Sequence, residues 1–572
     1  MNQAQPESLP AAAPVNSFLL PAAESTPSPR NMQFADALMA RVIALGQQGE
    51  TTQAEQILRE LLAQSPLCPP VLHNLAICLI QQDRLAEARQ YLEQALQADS
   101  RYDRAHHTLG TLLHRQRQLA LAQRHLRQAI ALNASNAHAL NDLGALLNDL
   151  KRFEEAEIYL SQAVRIAPKM PDAYNNLGVT LTSLGRLKQA RRYLRKALEL
   201  RPHDAAAQAN LGNAYKEEGK LSKALACYDL SLAIAPDCVT TRWNRSLALL
   251  AAGDFEQGWT EYEWRWQRPQ TPARRFTQPP WRGEPLHGRT ILLYAEQGLG
   301  DTLQFVRYAA ILKQKGAHVV LECPQPLTRL LQHVQGVDLL VTEGDALPAF
   351  DIQAPLMTLP RLCGTTVSTI PAPVSYIHVS ASNATDWAGV MARAGNPDEF
   401  RVGIAWQGNP HHAWDRFRSV PLHRFARLGD LQGVIFFSLQ TGPGTEQADP
   451  LSGSAKFLHL IQPSSMKAKE SSITDMADIA AIIKNLDLVI TVDTATAHLA
   501  GALGVEVWIM IAAISDWRWM RQTTKTPWYP TAQLFRQTRL GSWSPVFRDI
   551  RTELKHKLHQ RRHQREEAVQ WA

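Results

Sequence analysis

The sequence has no apolar run approaching the roughly 20 residues that a membrane-spanning helix needs, so a helical membrane anchor is not expected. Cysteine is sparse: Cys68, Cys78, Cys227, Cys238, Cys323 and Cys363 are scattered without a C-x-x-C pair, which offers neither a zinc-site spacing nor a disulfide framework. Reduced thiols in a cytoplasmic protein are the expectation. No basic residue precedes the short apolar piece at 17–20, and Pro21 interrupts it, so a secretory signal is not expected either.

What the chain does have is length. Its 572 residues exceed what one hydrophobic core organises, and 45% hydrophobic with 20% charged residues is an ordinary globular balance. Several domains, or a repeat array followed by a domain, are expected. The net charge of +7 arises in part after Arg551, where Lys555, Lys557, Arg561, Arg562 and Arg565 cluster. Residues 551–572 read as a basic, solvated helical tail, and no nucleic-acid partner is expected.

Self-similarity at a fixed period organises the first half of the chain. Gly110, Gly144, Gly178 and Gly212 stand 34 residues apart, and so do Ala54, Ala88, Ala122, Ala156, Ala190 and Ala224. Pro168, Pro202 and Pro236 close three repeats, and Pro66 closes an earlier one. This spacing is similar to the tetratricopeptide repeat, in which small residues let two helices touch and large apolar ones fill the gap to the next pair. About seven repeats over 33–272 are expected to form a right-handed superhelix, after a disordered segment at 1–32. The sixth position of each first helix holds Asn74, Thr108, Asp142, Asn176, Asn210 and Asn244. Asn74, Asn176, Asn210 and Asn244 are candidates for an inward-facing acceptor groove, since amides both donate to and accept from an extended peptide. A consensus residue of the repeat is the equally weighted alternative.

Beyond a linker at 273–285 the pattern changes to short apolar runs alternating with helical segments, the mark of a parallel α/β sheet. The strand at 290–294 leads into Ala295-Glu-Gln-Gly-Leu-Gly-Asp301, a helix and a second strand at 318–321. A second set includes strands at 401–406, 434–437, 487–490 and 507–510. Between its last two strands stands Val492-Asp-Thr-Ala-Thr-Ala-His-Leu-Ala-Gly-Ala-Leu-Gly504, a turn into a helix whose start suits an anion. Two Rossmann-like lobes are expected, at 286–385 on the acceptor side and 386–550 on the nucleotide-sugar side.

The Gly300-Asp301 turn together with Asp493-Thr-Ala-Thr-Ala-His498 resembles the ADP-heptose heptosyltransferases, of glycosyltransferase family 9 type with the GT-B fold. Bacterial repeat proteins ending in such a domain are more similar still, through Glu261-Tyr-Glu-Trp-Arg-Trp266, Glu296-Gln-Gly-Leu-Gly-Asp301, Ser438-Leu-Gln440, Asp516-Trp-Arg-Trp519 and Pro527-Trp-Tyr-Pro530. The order of parts is similar to that of O-GlcNAc transferase. The chain departs from the family pattern at Glu506 and at 511–514, which bears on the shape of a donor pocket.

The resemblance implies an inverting sugar transfer, which needs a base for the acceptor hydroxyl and positive potential for the departing diphosphate. Asp301 is the candidate base, with capping of a helix starting at Thr302 as the alternative; Glu296 and His411 stand next in line. Thr494, Thr496, His498, Arg418, Gly298 and Gly300 are the candidates for the donor phosphates. No Asp-x-Asp pair occurs, so neither a metal nor another cofactor is expected. Trp517 and Trp519 read as packing, and Trp264 and Trp266 as a seal between repeats and module. The expected substrate is a nucleotide sugar, and the acceptor a protein or glycan; an oligomer is possible. The alternative is a scaffold whose transferase-like domain is inactive.

Overall fold

The computed structural model describes residues 29–571 apart from 270, 272, 273, 397, 413, 450–457, 459, 463–472 and 474. Up to residue 28, the segment expected to be disordered lies outside the described residues; from there helix α1 runs Pro29–Gln48. Thirteen more helices follow in the repeat region: α2 (Thr51–Gln64), α3 (Pro69–Gln81), α4 (Leu85–Ala98), α5 (Asp103–Arg115), α6 (Leu119–Leu132), α7 (Ala137–Asp149), α8 (Phe153–Ile166), α9 (Pro171–Ser183), α10 (Leu187–Leu200), α11 (Ala205–Glu217), α12 (Leu221–Ile234), α13 (Val239–Ala252) and α14 (Phe255–Tyr262). The chain divides into two compact units within α11 and α12. One holds the described residues to Tyr215 with Asp229–Pro236; the other holds Lys216–Tyr228 and everything from Asp237.

The repeat spacing has a steric cause. A Cβ on Gly144 would stand 2.4 Å from Leu160 Cγ, and one on Gly178 2.4 Å from Leu194 Cγ, so glycine lets the second helix of each pair lie against the first. Ala88, Ala122, Ala156 and Ala190 have no exposed surface at these contacts. The turn inside each pair is left-handed at residues 49, 83, 117, 151, 185, 219 and 253, again 34 apart. Glycine occupies four of these positions, whereas Asp83, Arg117 and Lys151 adopt the conformation at a cost.

Three of the four amides expected along an open groove, Asn74, Asn176 and Asn210, are engaged by the preceding first helix. Position five of one first helix bonds position six of the next: His73 with Thr108 (2.8 Å), His107 with Asp142 (2.8 Å), Asn141 with Asn176 (2.9 Å) and Asn175 with Asn210 (3.0 Å). Asn74 donates to Met39 Sδ at 3.2 Å in the same register. Asn74, Asn210 and Asn244 are buried and Asn176 is half-buried. This ladder corrects the reading of Asn74, Asn176 and Asn210 as groove-lining acceptor contacts. An amide between two helices must be hydrogen-bonded, and here the neighbouring repeat satisfies it. Neither side-chain atom of Asn244 finds a protein partner.

The rest of the second unit holds two parallel sheets. The first has the order β3-β2-β1-β4, from β1 (Thr290–Tyr294), β2 (His318–Cys323), β3 (Leu339–Thr342) and β4 (Ile352–Pro355). The second has the order β10-β9-β8-β5-β6-β7, from β5 (Phe400–Ala405), β6 (Val434–Ser438), β7 (Leu460–Ile461), β8 (Leu488–Val492), β9 (Val507–Ile511) and β10 (Ala532–Arg536). Both are doubly wound α/β orders, with the direction of winding reversing between β1 and β4 and between β5 and β8. Central strands β5, β8 and β9 are apolar almost throughout, as strands covered on both faces must be.

The basic tail is helical, with one face packed and the other exposed to solvent. It belongs to helix α20 (Ser544–Trp571), counting α15 (Leu299–Phe305), α16 (Tyr308–Gln314), α17 (Ala381–Met391), α18 (Met476–Lys484) and α19 (Ala495–Ala502) before it. Ile550, Leu554 and Leu558 are buried, and the charges pair: Arg551 with Asp430, Lys557 with Glu506 (2.8 Å), Arg561 with Asp487 (2.8 Å) and Arg565 with Asp398 (3.0 Å). Glu506 therefore anchors this helix at the start of β9, the end of the strand away from where a doubly wound sheet places its ligand. Residues 511–514, expected to shape a donor pocket along with Glu506, stand at the other end of β9.

Two substitutions in the repeats should move stability in opposite directions. Gly178→Ala should lower the melting temperature of the repeat transition, overpacking of this kind costing about 1–3 kcal/mol. Lys151→Gly should raise it, relieving a left-handed lysine worth up to about 1 kcal/mol net of glycine's extra chain entropy. Calorimetric scans of the full chain would read both.

Candidate functional site

The carboxyl ends of β1 and β8 each run into a helix start, and these two helices, α15 and α19, pack against each other. Gly300 makes the approach possible: a Cβ there would lie 2.8 Å from His498 Cδ2 and 3.6 Å from Ala495 Cα. Gly298 is the N-cap of α15, with its own N–H donated to Asp301 Oδ2 at 2.8 Å. Asp301 is thus the third residue of a helix that begins at Leu299. It reaches back to the cap and does not cap a helix beginning at Thr302.

The second oxygen of Asp301 meets Arg518, 217 residues away. Arg518 is buried; its Nη1 lies 3.0 Å from Asp516 Oδ1, its Nε donates to Gln304 Oε1 at 2.7 Å, and its plane covers Trp517 at 4.4 Å. Burial pushes the Asp301 carboxyl above the ordinary carboxylate range, against the pull of Arg518. The sequence reading singled out the Asp516-Trp-Arg-Trp519 motif without assigning Arg518 or Asp516 to the site. No spacing rule pairs a cation with a carboxylate so distant in the chain.

His498 is buried in α19, with Nδ1 2.8 Å from the Tyr529 hydroxyl and its ring stacked on Trp519 at 5.2 Å. Burial, reinforced by Arg518 and Arg307, holds its pKa well below the usual value, so the ring is neutral. Thr494 is the N-cap of α19, although its hydroxyl faces Thr491 (3.3 Å) and the Val492 carbonyl (3.4 Å) and caps no backbone N–H. Thr496 is half-buried in the first turn.

Asp493, read before only as part of the motif, carries the larger perturbation. Burial pushes its carboxyl up to about 6, Asp516 adding to the rise and Arg418, Trp519 and Arg518 opposing it. Arg418 ends a single helical turn after β5, bonded to Asp415 at 3.2 Å, and its Nη2 would lie 2.6 Å from a Cβ on Gly408. It is thus packed inside the second lobe, where its charge reaches Asp493. Among the described residues no three His, Cys, Asp or Glu side chains are grouped so as to hold a metal ion.

The turn that carries Gly298 and Asp301 is held from behind by the last repeat. Arg265 is buried and binds Glu296 through Nη2 (2.9 Å) and Nε (3.2 Å), Glu263 (2.7 Å) and Thr358 (2.7 Å). Gln297 donates to the Tyr262 hydroxyl at 3.0 Å. Glu296, next in line as a base, is engaged by Arg265 and the Met357 N–H, and burial raises its carboxyl against the pull of Arg265. The seal expected of Trp264 and Trp266 is made instead by Phe255, Trp259 and Tyr262 with Phe305, Trp517 and Trp528, ring centroids 5.1–6.4 Å apart. Trp264 and Trp266 are only half-buried, each beneath an arginine. Trp519 packs in the core as expected, stacked on His498.

Family models match parts of the first half of the chain. Residues 46–113, 135–203 and 169–237 match models described as tetratricopeptide repeat, so this stretch carries that repeat. The chain is 25% identical over 344 residues to Protein FlbA of Caulobacter vibrioides (strain ATCC 19089 / CIP 103742 / CB 15), a match covering 56% of this chain and 55% of that protein. It therefore spans about half the length of that relative. Among solved structures, YrrB, a TPR protein with an unusual peptide-binding site, is 23% identical with a TM-score of 0.28, over 32% of this chain and 95% of its own. A chain of the APC/C hetero-tetramer Cut9-Hcn1 is 18% identical with a TM-score of 0.37, over 41% of this chain and 48% of its own.

Two measurements test this geometry. Arg265→Met should lower the melting temperature sharply, since removing one partner of a buried ion pair costs about 3–5 kcal/mol, and Arg265→Met with Glu296→Leu should recover much of it. For Asp493 the folded carboxyl holds its proton to about pH 6, against 3.8 ordinarily, so the stability it contributes is present below pH 3.8 and is lost as pH rises through about 6. Asp493→Asn should then melt above wild type at pH 7.5, the gap closing towards pH 4.

Proposed function

We propose that the chain is a glycosyltransferase in which the α/β module takes a sugar from a nucleotide-sugar donor and the repeats recruit a protein or glycan acceptor. The observation that carries this reading is the meeting of two reversal points. Doubly wound sheets place ligands outside the strand ends where winding reverses, and β1 with its turn and β8 with its turn bring those ends together at the contact of α15 and α19. Two such lobes face to face are what the GT-B fold requires, and the resemblance of the two turns to heptosyltransferases supports the same conclusion.

The start of α19, Thr494 to His498, receives the donor diphosphate, where backbone N–H groups and the helix dipole favour an anion. With Nδ1 tied to Tyr529, His498 has Nε2 left for a ligand. Arg418 adds positive potential from the second lobe, and Gly298 and Gly300 keep the opposite wall narrow. Asp301 takes the proton of the acceptor hydroxyl as its oxygen attacks the anomeric carbon. The bond from that carbon to the diphosphate oxygen breaks, and the nucleoside diphosphate leaves with the electron pair. The repeats supply an extended surface of the kind that binds proteins, though not through the amides of the inter-repeat ladder.

One observation favours the rival reading, an interaction protein with an inactive module: the Asp301 carboxylate is engaged by Arg518, which opposes a role as base. A melting screen against nucleoside diphosphates and nucleotide sugars separates the two. A cognate compound at 100 times its Kd should add about 2.7 kcal/mol of stability; no shift with any of them would leave the scaffold. His498→Ala and Thr496→Ala should weaken the cognate nucleotide, and unchanged affinity in both would move the phosphate site elsewhere. Asp301→Asn should lose at least about 100-fold in turnover without weakening donor binding, and retention of more than about a tenth would withdraw its assignment as base.

A further inference from the structure

We infer that Arg518 is a binding residue for the donor diphosphate, and that its ion pair with Asp301 withholds the base until the donor arrives. The inference rests on the transferase reading above and adds to it a residue and an order of events.

Arg518 is a single buried cation shared between two carboxylates, with Asp301 on the first lobe and Asp516 beside it on the second. The balance is unfavourable for the acids: burial and mutual repulsion push the carboxyls of Asp301 and Asp493 up, and Asp516 contributes to both rises. A buried ion pair of this kind is a poor source of stability, since the cost of taking both charges out of water offsets most of their attraction.

Its position explains what else it does. Arg518 sits between Trp517 and Trp519, the second of which stacks on His498 in the first turns of α19, and its field reaches both His498 and Asp493. A diphosphate at the α19 start therefore arrives beside this guanidinium. The planar guanidinium matches two phosphate oxygens as well as it matches a carboxylate, so the diphosphate and Asp301 compete for the same N–H groups. A doubly charged ligand wins that competition against a carboxylate already held above its ordinary pKa. Asp301 is then left with its Gly298 N–H and an oxygen free to accept a proton from the acceptor hydroxyl. Donor binding thus precedes activation of the base.

Calorimetric titration of the full chain with uridine, guanosine, adenosine and cytidine diphosphates tests this. For whichever diphosphate binds wild type, Asp301→Asn should bind it at least about five-fold more tightly, the lower end of ordinary site-to-site coupling. Arg518→Gln should bind it at least about ten-fold more weakly, and adding Asp301→Asn to Arg518→Gln should give no further tightening. Should Asp301→Asn fail to fold, Asp516→Asn relieves the same guanidinium from its other side and should tighten binding likewise. If wild type binds a diphosphate but neither relief variant tightens it, or if tightening persists without Arg518, the gating inference falls while the transferase reading stands. If wild type binds none of the four, both fall.

Discussion

The α/β module is organised by the contact between Gly300 and His498. With no side chain at Gly300, α15 and α19 meet at their first turns, and a single methyl group would collide with the imidazole at 2.8 Å. That closeness brings the strand ends of two separate sheets together. It also explains the charges there: two lobes that each end in an acidic turn can meet only if a cation lies between them, and Arg518 is that cation. The neutral state of His498 follows, since a second buried positive charge beside Arg518 and Arg307 is disfavoured.

A second layer of support comes from the last repeat. Helices α13 and α14 and the turn after them do not end the array with a polar cap, as repeat proteins commonly do. They bury Trp243, Phe255, Trp259 and Tyr262 in the same core as Phe305, Trp517 and Trp528, and Arg265 holds Glu296 directly behind the glycine turn. The last repeat is thereby part of the module's own packing, in agreement with the division of the chain, which assigns α13 and α14 to the α/β unit.

Much of this was legible in the sequence where it depends on local spacing. The 34-residue frame, the glycines that admit Leu160 and Leu194, the strands at 290–294, 401–406 and 507–510, and the helix start at Thr494 follow from periodicity and turn chemistry within about a dozen residues, whereas the first helix of the module begins at Leu299 and not at Thr302. The ladder was half legible. Its members recur every 34 residues, but their partners stand 35 away, and whether an amide at that position faces a groove or the next helix depends on how the pairs stack. The aromatic seal was misassigned for a related reason: Trp264 and Trp266 look like a pair by spacing, whereas Trp259 and Tyr262 occupy the buried side of α14.

The sequence by itself determined the repeat, the α/β character of the second half and the two glycine- and threonine-bearing turns, because each is written in residues adjacent in the chain or set by a fixed period. Tertiary structure alone decided which charges neutralise which. Asp301 with Arg518, Arg265 with Glu296 and Lys557 with Glu506 are separated by 217, 31 and 51 residues. The first two pairs exist because folding removes both members from water at one place, where a buried charge must find an opposite charge or give up its own, and the third because it stands where the last helix docks.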